Sequence, residues 1–223
     1  MIMRHAEKPG RYQGQYYPGV DPAGKEIGEQ AGHHLAMPGW QRAAALVTLF
    51  AEPWGPKEPI LATPRFLFAS KPGKGKNGGL FRRLFGGGKQ TSRRSYETLL
   101  PLSVALASKG RPMKIHSKYA KWHYEDMVAD ALECDGPVLI SWQHECVPLL
   151  NEKGEPGISQ CILTQTQTPA KSLNIPKAWP VGPNGARYDL IWVFDRPGGR
   201  GPITGFTLFP EFLLPGDVAA PLL

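Results

Sequence analysis

Short apolar runs alternate with helix-forming stretches along the first two thirds of this chain. Residues 1–4 read as the end of a short strand, and the Gly-, Pro- and Tyr-rich stretch that follows, to about Pro38, reads as loop. From Trp40 to Phe50 helix formers dominate, with Trp40, Ala43, Ala44, Val47 and Phe50 near helical spacing, and Pro53 and Gly55 close the run. Residues 60–62 and 66–69 are short strand candidates separated by Pro64. Residues 94–108 read as a helix in which Pro101 predicts a kink or a restart. Residues 113–115 read as a strand, 122–132 as an amphipathic helix and 137–142 as a buried strand. The order β-α-β-α-β-α-β predicts an α/β fold, a three-layer α/β/α sandwich around a mainly parallel central sheet. Near the end, residues 188–194 and 203–209 flank Arg196-Pro197-Gly198-Gly199, which predicts an antiparallel hairpin at one edge of that sheet.

Composition changes this picture little. The 223 residues include 26 Gly and 23 Pro, together below the roughly 25–30% that marks low-complexity chains, so a folded domain is expected across residues 1–223. The cysteines are three (Cys134, Cys146, Cys161), with no C-x-x-C spacing, which argues against a disulfide scaffold or a zinc ribbon. No apolar run has the length of a membrane span, and residues 1–4 do not open a signal-like core, so a cytoplasmic location is expected.

Charge is more informative by its placement than by its sum. The formal net charge is +7, yet residues 71–94 hold eight basic residues and no acid, leaving −1 on the remainder. A nucleic-acid footprint spread over the fold is therefore disfavoured. The basic segment contains Gly79-Leu80-Phe81-Arg82-Arg83-Leu84-Phe85-Gly86, a turn with the chemistry to touch anionic lipid, nucleic acid or a polyanionic substrate. The simpler reading, a solvated Lys/Gly-rich excursion, is preferred. Gly86 to Thr91 is no phosphate loop, because Arg83 and Gln90 stand where that motif needs a glycine and a hydroxyl residue.

In parallel-sheet folds ligands gather beyond the carboxyl ends of the strands. Three strand exits here carry chemistry: Arg4-His5-Ala6-Glu7, the stretch from Ser70 to Arg94, and Gln143-His144-Glu145. Two histidines and two arginines converging in this way suit phosphoryl transfer. A neutral imidazole attacks phosphorus while guanidinium forks hold the equatorial oxygens.

These residues also carry a family resemblance. Arg4-His5-Ala6-Glu7 resembles the R-H-G/A-E signature of the histidine phosphatase (phosphoglycerate mutase-like) superfamily, and Leu35-x-x-x-Gly39-x-x-x-Ala43 resembles the helix pattern that follows it. Ser70, then Arg94-Ser95-Tyr96-Glu97-Thr98-Leu99-Leu100-Pro101-Leu102, is similar to the S-x-x-x-R-A-x-x-T-A-x-P-L block, and residues 138–144 resemble the strand that ends in the second histidine. The matches run in family order over about residues 1–150. The resemblance implies that His5 is the nucleophile that becomes phosphohistidine, that Arg4, Arg94 and His144 form the phosphate pocket, and that no metal or other cofactor takes part. Arg93 is the alternative to Arg94.

Three departures from the family pattern matter. The position of the usual proton donor falls near Ser117, so the expected carboxylate is missing. His144 is followed by Glu145, which resembles the His-Asp pair of the acid phosphatase and phytase branch and makes Glu145 the expected donor. Between Ser70 and Arg94 lie 23 residues, an insertion at 71–93 where the family usually has three. The expected activity is metal-independent hydrolysis of a phosphorylated small molecule. The alternatives are a phosphomutase, or a non-catalytic phosphate-binding member docked on an anionic partner through the insertion. His33-His34 reads as a solvated pair rather than metal ligands. Tyr12, Tyr16 and Tyr17 either line a substrate mouth or pin their loop.

Overall fold

The computed structural model describes residues 1–12, 14–27, 33–51, 58–73, 92–110, 113–182 and 185–219. Its elements are β1 (Ile2–Arg4), β2 (Gly10–Tyr12), β3 (Gln15–Tyr17), β4 (Gly19–Val20), β5 (Leu35–Ala36), α1 (Met37–Phe50), β6 (Phe66–Ala69), α2 (Arg94–Ser108), β7 (Ile115–His116), α3 (Tyr124–Leu132), β8 (Val138–Trp142), α4 (Ile158–Gln165), β9 (Val181–Gly182), β10 (Gly185–Ala186), β11 (Leu190–Asp195) and β12 (Gly205–Pro210). The fold is α/β. Six strands form one sheet in the order β12-β11-β1-β8-β6-β7. The four from β1 to β7 run parallel, and β11 and β12 add the antiparallel edge hairpin.

Register brings the strand exits level. Met3 pairs with Ser141, and Ser141 with Ala69, so the next residues along β1, β8 and β6 leave the sheet side by side. Two bonds hold this row: the His5 amide donates to the Trp142 carbonyl at 2.9 Å, and Gln143 Nε2 donates to Ser70 Oγ at 2.8 Å.

Period-two alternation divides the core. Ile2, Phe68, Ile140, Trp142, Leu190 and Trp192 pack with Met127 and Val128 of α3 and Ile158 and Ile162 of α4. Met3, Leu67, Ala69, Leu139, Ile191 and Val193 pack instead with Leu46 and Phe50 of α1 and Leu99, Leu102 and Leu106 of α2. Each fully buried large side chain contributes about 1.5–3 kcal/mol.

Three sequence expectations need correction, and the one at Pro101, a kink or a restart, is narrowed. Residues 60–62 form no strand: Leu61 is buried and Ile60 packs on the same core, so their apolar character reflects burial without a strand partner. The stretch before Pro38 is not all loop, since β2 pairs with β3 and β4 with β5. Helix α2 runs through Pro101 without a restart. Its neighbours Leu99 and Leu102 are fully buried, and that packing outweighs the roughly 3 kcal/mol cost of an interior proline. The strand expected at 113–115 lies at Ile115–His116, where Leu67 and Phe68 supply the pairing. Residues 74–91 of the basic insertion lie outside the described residues.

Gly39 shows how α1 supports the strand exit. A Cβ there would lie 2.5 Å from the Glu7 carbonyl oxygen and 3.0 Å from its nitrogen, so only glycine lets the helix approach the segment two residues past His5. Leu35, Ala43 and Ala6 close the same contact as a small buried cluster. Gly39→Ala is expected to destabilise the protein by about 1–3 kcal/mol through overpacking, less a gain of under about 1 kcal/mol in helix propensity. Denaturant unfolding checks this, and an unchanged midpoint would show that the Glu7 backbone yields freely.

Candidate functional site

His5 leaves β1 almost fully buried, at 3% exposure. Its Nδ1 lies 2.8 Å from the Ala6 carbonyl. A carbonyl only accepts, so Nδ1 carries the proton and Nε2 keeps its lone pair. Burial, and then the positive charges of Arg94 and Arg4, hold the His5 pKa well below its ordinary 6.5. The imidazole is therefore neutral at neutral pH, with an unprotonated Nε2.

A hydroxyl fixes this loop to the start of α2. The Ala6 amide donates to Thr98 Oγ1 at 2.8 Å, and the Thr98 hydroxyl donates to the Arg94 carbonyl, also at 2.8 Å. The His5 loop and the residue opening α2 thus share one bridging group.

Arg4 is buried, and its guanidinium donates to the carbonyls of Ala186 and Arg187. The Arg4 Cζ lies 3.7 Å from the centroid of the Tyr188 ring, a cation–π contact. Burial lowers the pKa of Arg4 and of Arg94, but a guanidinium stays charged at any working pH. The structure separates the two candidate arginines. The Arg94 charge acts on His5 and Arg4, whereas Arg93 lies 3.4 Å from Glu97 in an i,i+4 ion pair.

His144 opens a short 3-10 turn after β8, and its Nδ1 lies 3.0 Å from Glu145 Oε2. Lys121 Nζ donates to Glu145 Oε1 at 2.6 Å. Burial pushes the Glu145 carboxyl up, but the adjacent His144 ring and the hydrogen bond from Lys121 more than offset it and hold the group far below the usual carboxylate range. Glu145 is ionised, and its charge is felt by Arg4, His5 and Arg94. That state differs from the protonated one a leaving-group donor needs. Next to it, burial pushes the Cys146 thiol up to about 12, which leaves it inert. At the exit of β7, Ser117 is followed by Lys118, whose Nζ pairs with Asp130 at 2.7 Å.

As at Gly39, a glycine admits backbone close behind the second histidine. A Cβ on Gly157 would lie 2.0 Å from the Pro148 carbonyl oxygen and 2.9 Å from that of Cys146.

No family model, curated protein or solved structure matches this chain.

The structure brings in residues that the sequence reading missed. Tyr188, read there as the start of a strand, precedes β11 and covers Arg4 with its ring. Lys121, which holds Glu145, had no motif to mark it. Beside Tyr188 opens a cleft of about 320 Å³ whose lining includes Glu7, Tyr12, Tyr17, Arg42 and Asp217. Tyr16, by contrast, is exposed. A more voluminous cavity of about 820 Å³, lined by Ile2, Val138, Ile140 and Phe194, lies at the amino ends of β1 and β8 and contains none of the predicted site residues.

Behind the His5 loop, Arg42 is buried among three carboxylates. Its Nε and one terminal nitrogen donate to Glu7 Oε1 at 2.9 and 2.8 Å, and it bonds Glu211 Oε2 at 3.0 Å and Asp217 at 2.7 and 3.0 Å. Burial raises the Glu7 pKa and pushes the Glu211 carboxyl up to about 8. Glu7 Oε2 and Glu211 Oε1 are buried without hydrogen-bond partners among the described residues. His34 is occupied structurally, its Nδ1 2.6 Å from Glu97 Oε1. No group of three His, Cys, Asp or Glu side chains placed to hold a metal occurs among the described residues, and no described helix is long and apolar enough to cross a membrane.

Proposed function

We propose that this protein is a histidine-type phosphatase that hydrolyses a phosphomonoester through a phosphohistidine at His5, without a metal, in the cytoplasm. A neutral imidazole with a free Nε2, buried beside the charges of Arg4 and Arg94, is the observation that carries this reading. The scaffold fits a three-layer α/β/α arrangement, because the two faces of the sheet bury separate helix pairs.

In the first step His5 Nε2 attacks phosphorus; the N–P bond forms as the ester P–O bond breaks, and the leaving oxygen takes a proton from solvent water. Water then attacks the phosphohistidine, the N–P bond breaks, and inorganic phosphate departs with His5 regenerated. Arg4 and Arg94 hold the phosphoryl oxygens and offset the charge that grows on them. His144 joins them, with the Glu145 carboxylate 3.0 Å from its Nδ1 as a positioning residue. Hydrolysis of p-nitrophenyl phosphate, with and without a chelator, is the direct test. Chelator-resistant turnover supports the reading, and absence of turnover from acidic to mildly alkaline pH rejects it.

The ionised state of Glu145 leads to a second prediction. Glu145→Gln is expected to slow p-nitrophenyl phosphate and an alkyl phosphate equally, by roughly tenfold. A general acid would behave differently, with the alkyl ester losing roughly 10²–10⁴-fold and the activated aryl ester nearly spared. The ratio of the two losses decides between anchor and donor.

A second reading has two observations in its favour: Ser117 stands at the expected donor position, and Glu145 is ionised. In that reading the pocket binds phosphate without turning it over, and the basic insertion 71–93 docks on an anionic partner. Tight phosphate binding by a protein that hydrolyses no aryl phosphate would establish it.

A further inference from the structure

The cleft beside Tyr188 has an aromatic wall; its described lining includes none of His5, Arg4, Arg94 and His144, and Tyr188 is what links it to them. The Tyr188 ring covers Arg4, its centroid lies 6.2 Å from that of His5, and it lines the cleft. Tyr12 meets Tyr188 edge-on at 6.3 Å, with the two hydroxyls 3.4 Å apart, and packs against Tyr17 at 6.2 Å. Gly182, Gly185 and Ala186 add lining with little side-chain bulk.

Every charged side chain described in this lining already has a partner of opposite sign. Arg42 is bound by Glu7 and Asp217 together with Glu211 behind them. Arg187 bonds Asp189 through Nε at 2.8 Å and through a terminal nitrogen at 2.5 Å, and its other terminal nitrogen donates to the Ala219 carbonyl. The described lining therefore carries two guanidinium groups against three acids, Glu7, Asp189 and Asp217. It offers no cation to a second anionic group on a ligand. Tyrosine faces and edges, in contrast, are suited to an aromatic ring. The cleft's size is at the lower end of the range for small-ligand pockets, enough for a single ring system.

We infer that this cleft takes the leaving group of the substrate and selects an uncharged aromatic one, so that the substrate class is aryl or arylmethyl phosphomonoesters rather than bisphosphates or phosphorylated hydroxy acids. The inference rests on the phosphatase reading for its chemistry.

The test compares kcat/KM for benzyl phosphate, glycerol phosphate and 3-phosphoglycerate, which all release alkoxide leaving groups. The expected order is benzyl phosphate first by about tenfold over glycerol phosphate, with 3-phosphoglycerate last. In Tyr12→Leu and Tyr17→Leu the benzyl-to-glycerol ratio is expected to fall toward one, mainly through KM for the benzyl ester. Equal or better use of glycerol phosphate or 3-phosphoglycerate by the wild type, or an unmoved ratio in both variants, overturns the inference while the phosphatase reading stands. If the wild type turns over none of these esters and no p-nitrophenyl phosphate, the phosphatase reading fails and binding decides. Calorimetric preference for benzylphosphonate over phosphonoacetate would then keep the cleft's selectivity, whereas equal binding or none would overturn it.

Discussion

Replacing His5 with alanine is expected to remove phosphomonoester turnover, by roughly ten-thousand-fold or more. The large effect follows from what the side chain supplies. Without it no nitrogen is left to form the covalent intermediate, and Arg4 and Arg94 hold a phosphate that nothing attacks. Wild-type enzyme quenched during turnover should carry a phosphoryl group that is stable in alkali and lost in acid, and the variant should carry none. The pH profile gives an independent check. Burial and the flanking guanidinium charges keep His5 neutral well below 6.5, so the acid limb of kcat/KM should fall below that value. An acid limb at 6.5 or above would mean that His5 is not the titrating nucleophile. So would more than about a tenth of the activity surviving in His5→Ala.

The largest effect on stability is expected from Arg42→Met. Removing one partner of a buried ionic cluster leaves uncompensated charge, at a cost of about 3–5 kcal/mol. For a chain of this length that is roughly 6–20 °C in Tm. The size of the loss should depend on pH. In the folded protein Glu211 titrates near 8, above an ordinary carboxylate at 4.5. Between those values the folded state holds a proton that the unfolded state does not, so wild-type stability falls as pH rises through that window. Asp217 is held below its ordinary 3.8 by Arg42, and its contribution is lost only at more acidic pH. Without Arg42 the carboxylates can become neutral at pH 5 but repel one another at pH 8.5. The variant should therefore lose more stability at pH 8.5 than at pH 5. Denaturant midpoints across this range measure it, and a loss independent of pH would show that the cluster holds no proton. Because Glu7 lies two residues past His5, activity should fall together with stability.

Local signals were enough for some of this architecture. The helix-forming run at 40–50, the short strands at 66–69 and 137–142 and the turn at Arg196–Gly199 have periodicity or turn chemistry that needs no distant partner, and each lies within or beside the element it predicted. The Arg4-His5 pair was likewise legible, because its place at the end of an apolar strand marks the ligand side of a parallel sheet. Tyr188 was not: its contact with Arg4 spans 184 positions of chain, and its local pattern is that of a residue entering a strand. Arg42 offered no signal either, since its partners Glu211 and Asp217 lie in a segment without repeats or motifs. Helix α4 is short and contains β-branched residues and a cysteine. Burial of Ile158, Cys161 and Ile162 against the core, rather than propensity, accounts for it. Glu145 shows the limit most directly. Its neighbour His144 was visible in the sequence, but the second group that holds the carboxyl low, Lys121, lies on another segment.

The Thr98 hydroxyl, accepting from the Ala6 amide and donating to the Arg94 carbonyl, bears on the thermodynamics of ligand recognition. Since the His5 loop and the residue opening α2 are joined by the fold itself, their relative ordering is completed during folding. Under the proposed function an incoming phosphate would meet a preorganised pocket, so less of its contact energy would be offset by loss of loop entropy on binding.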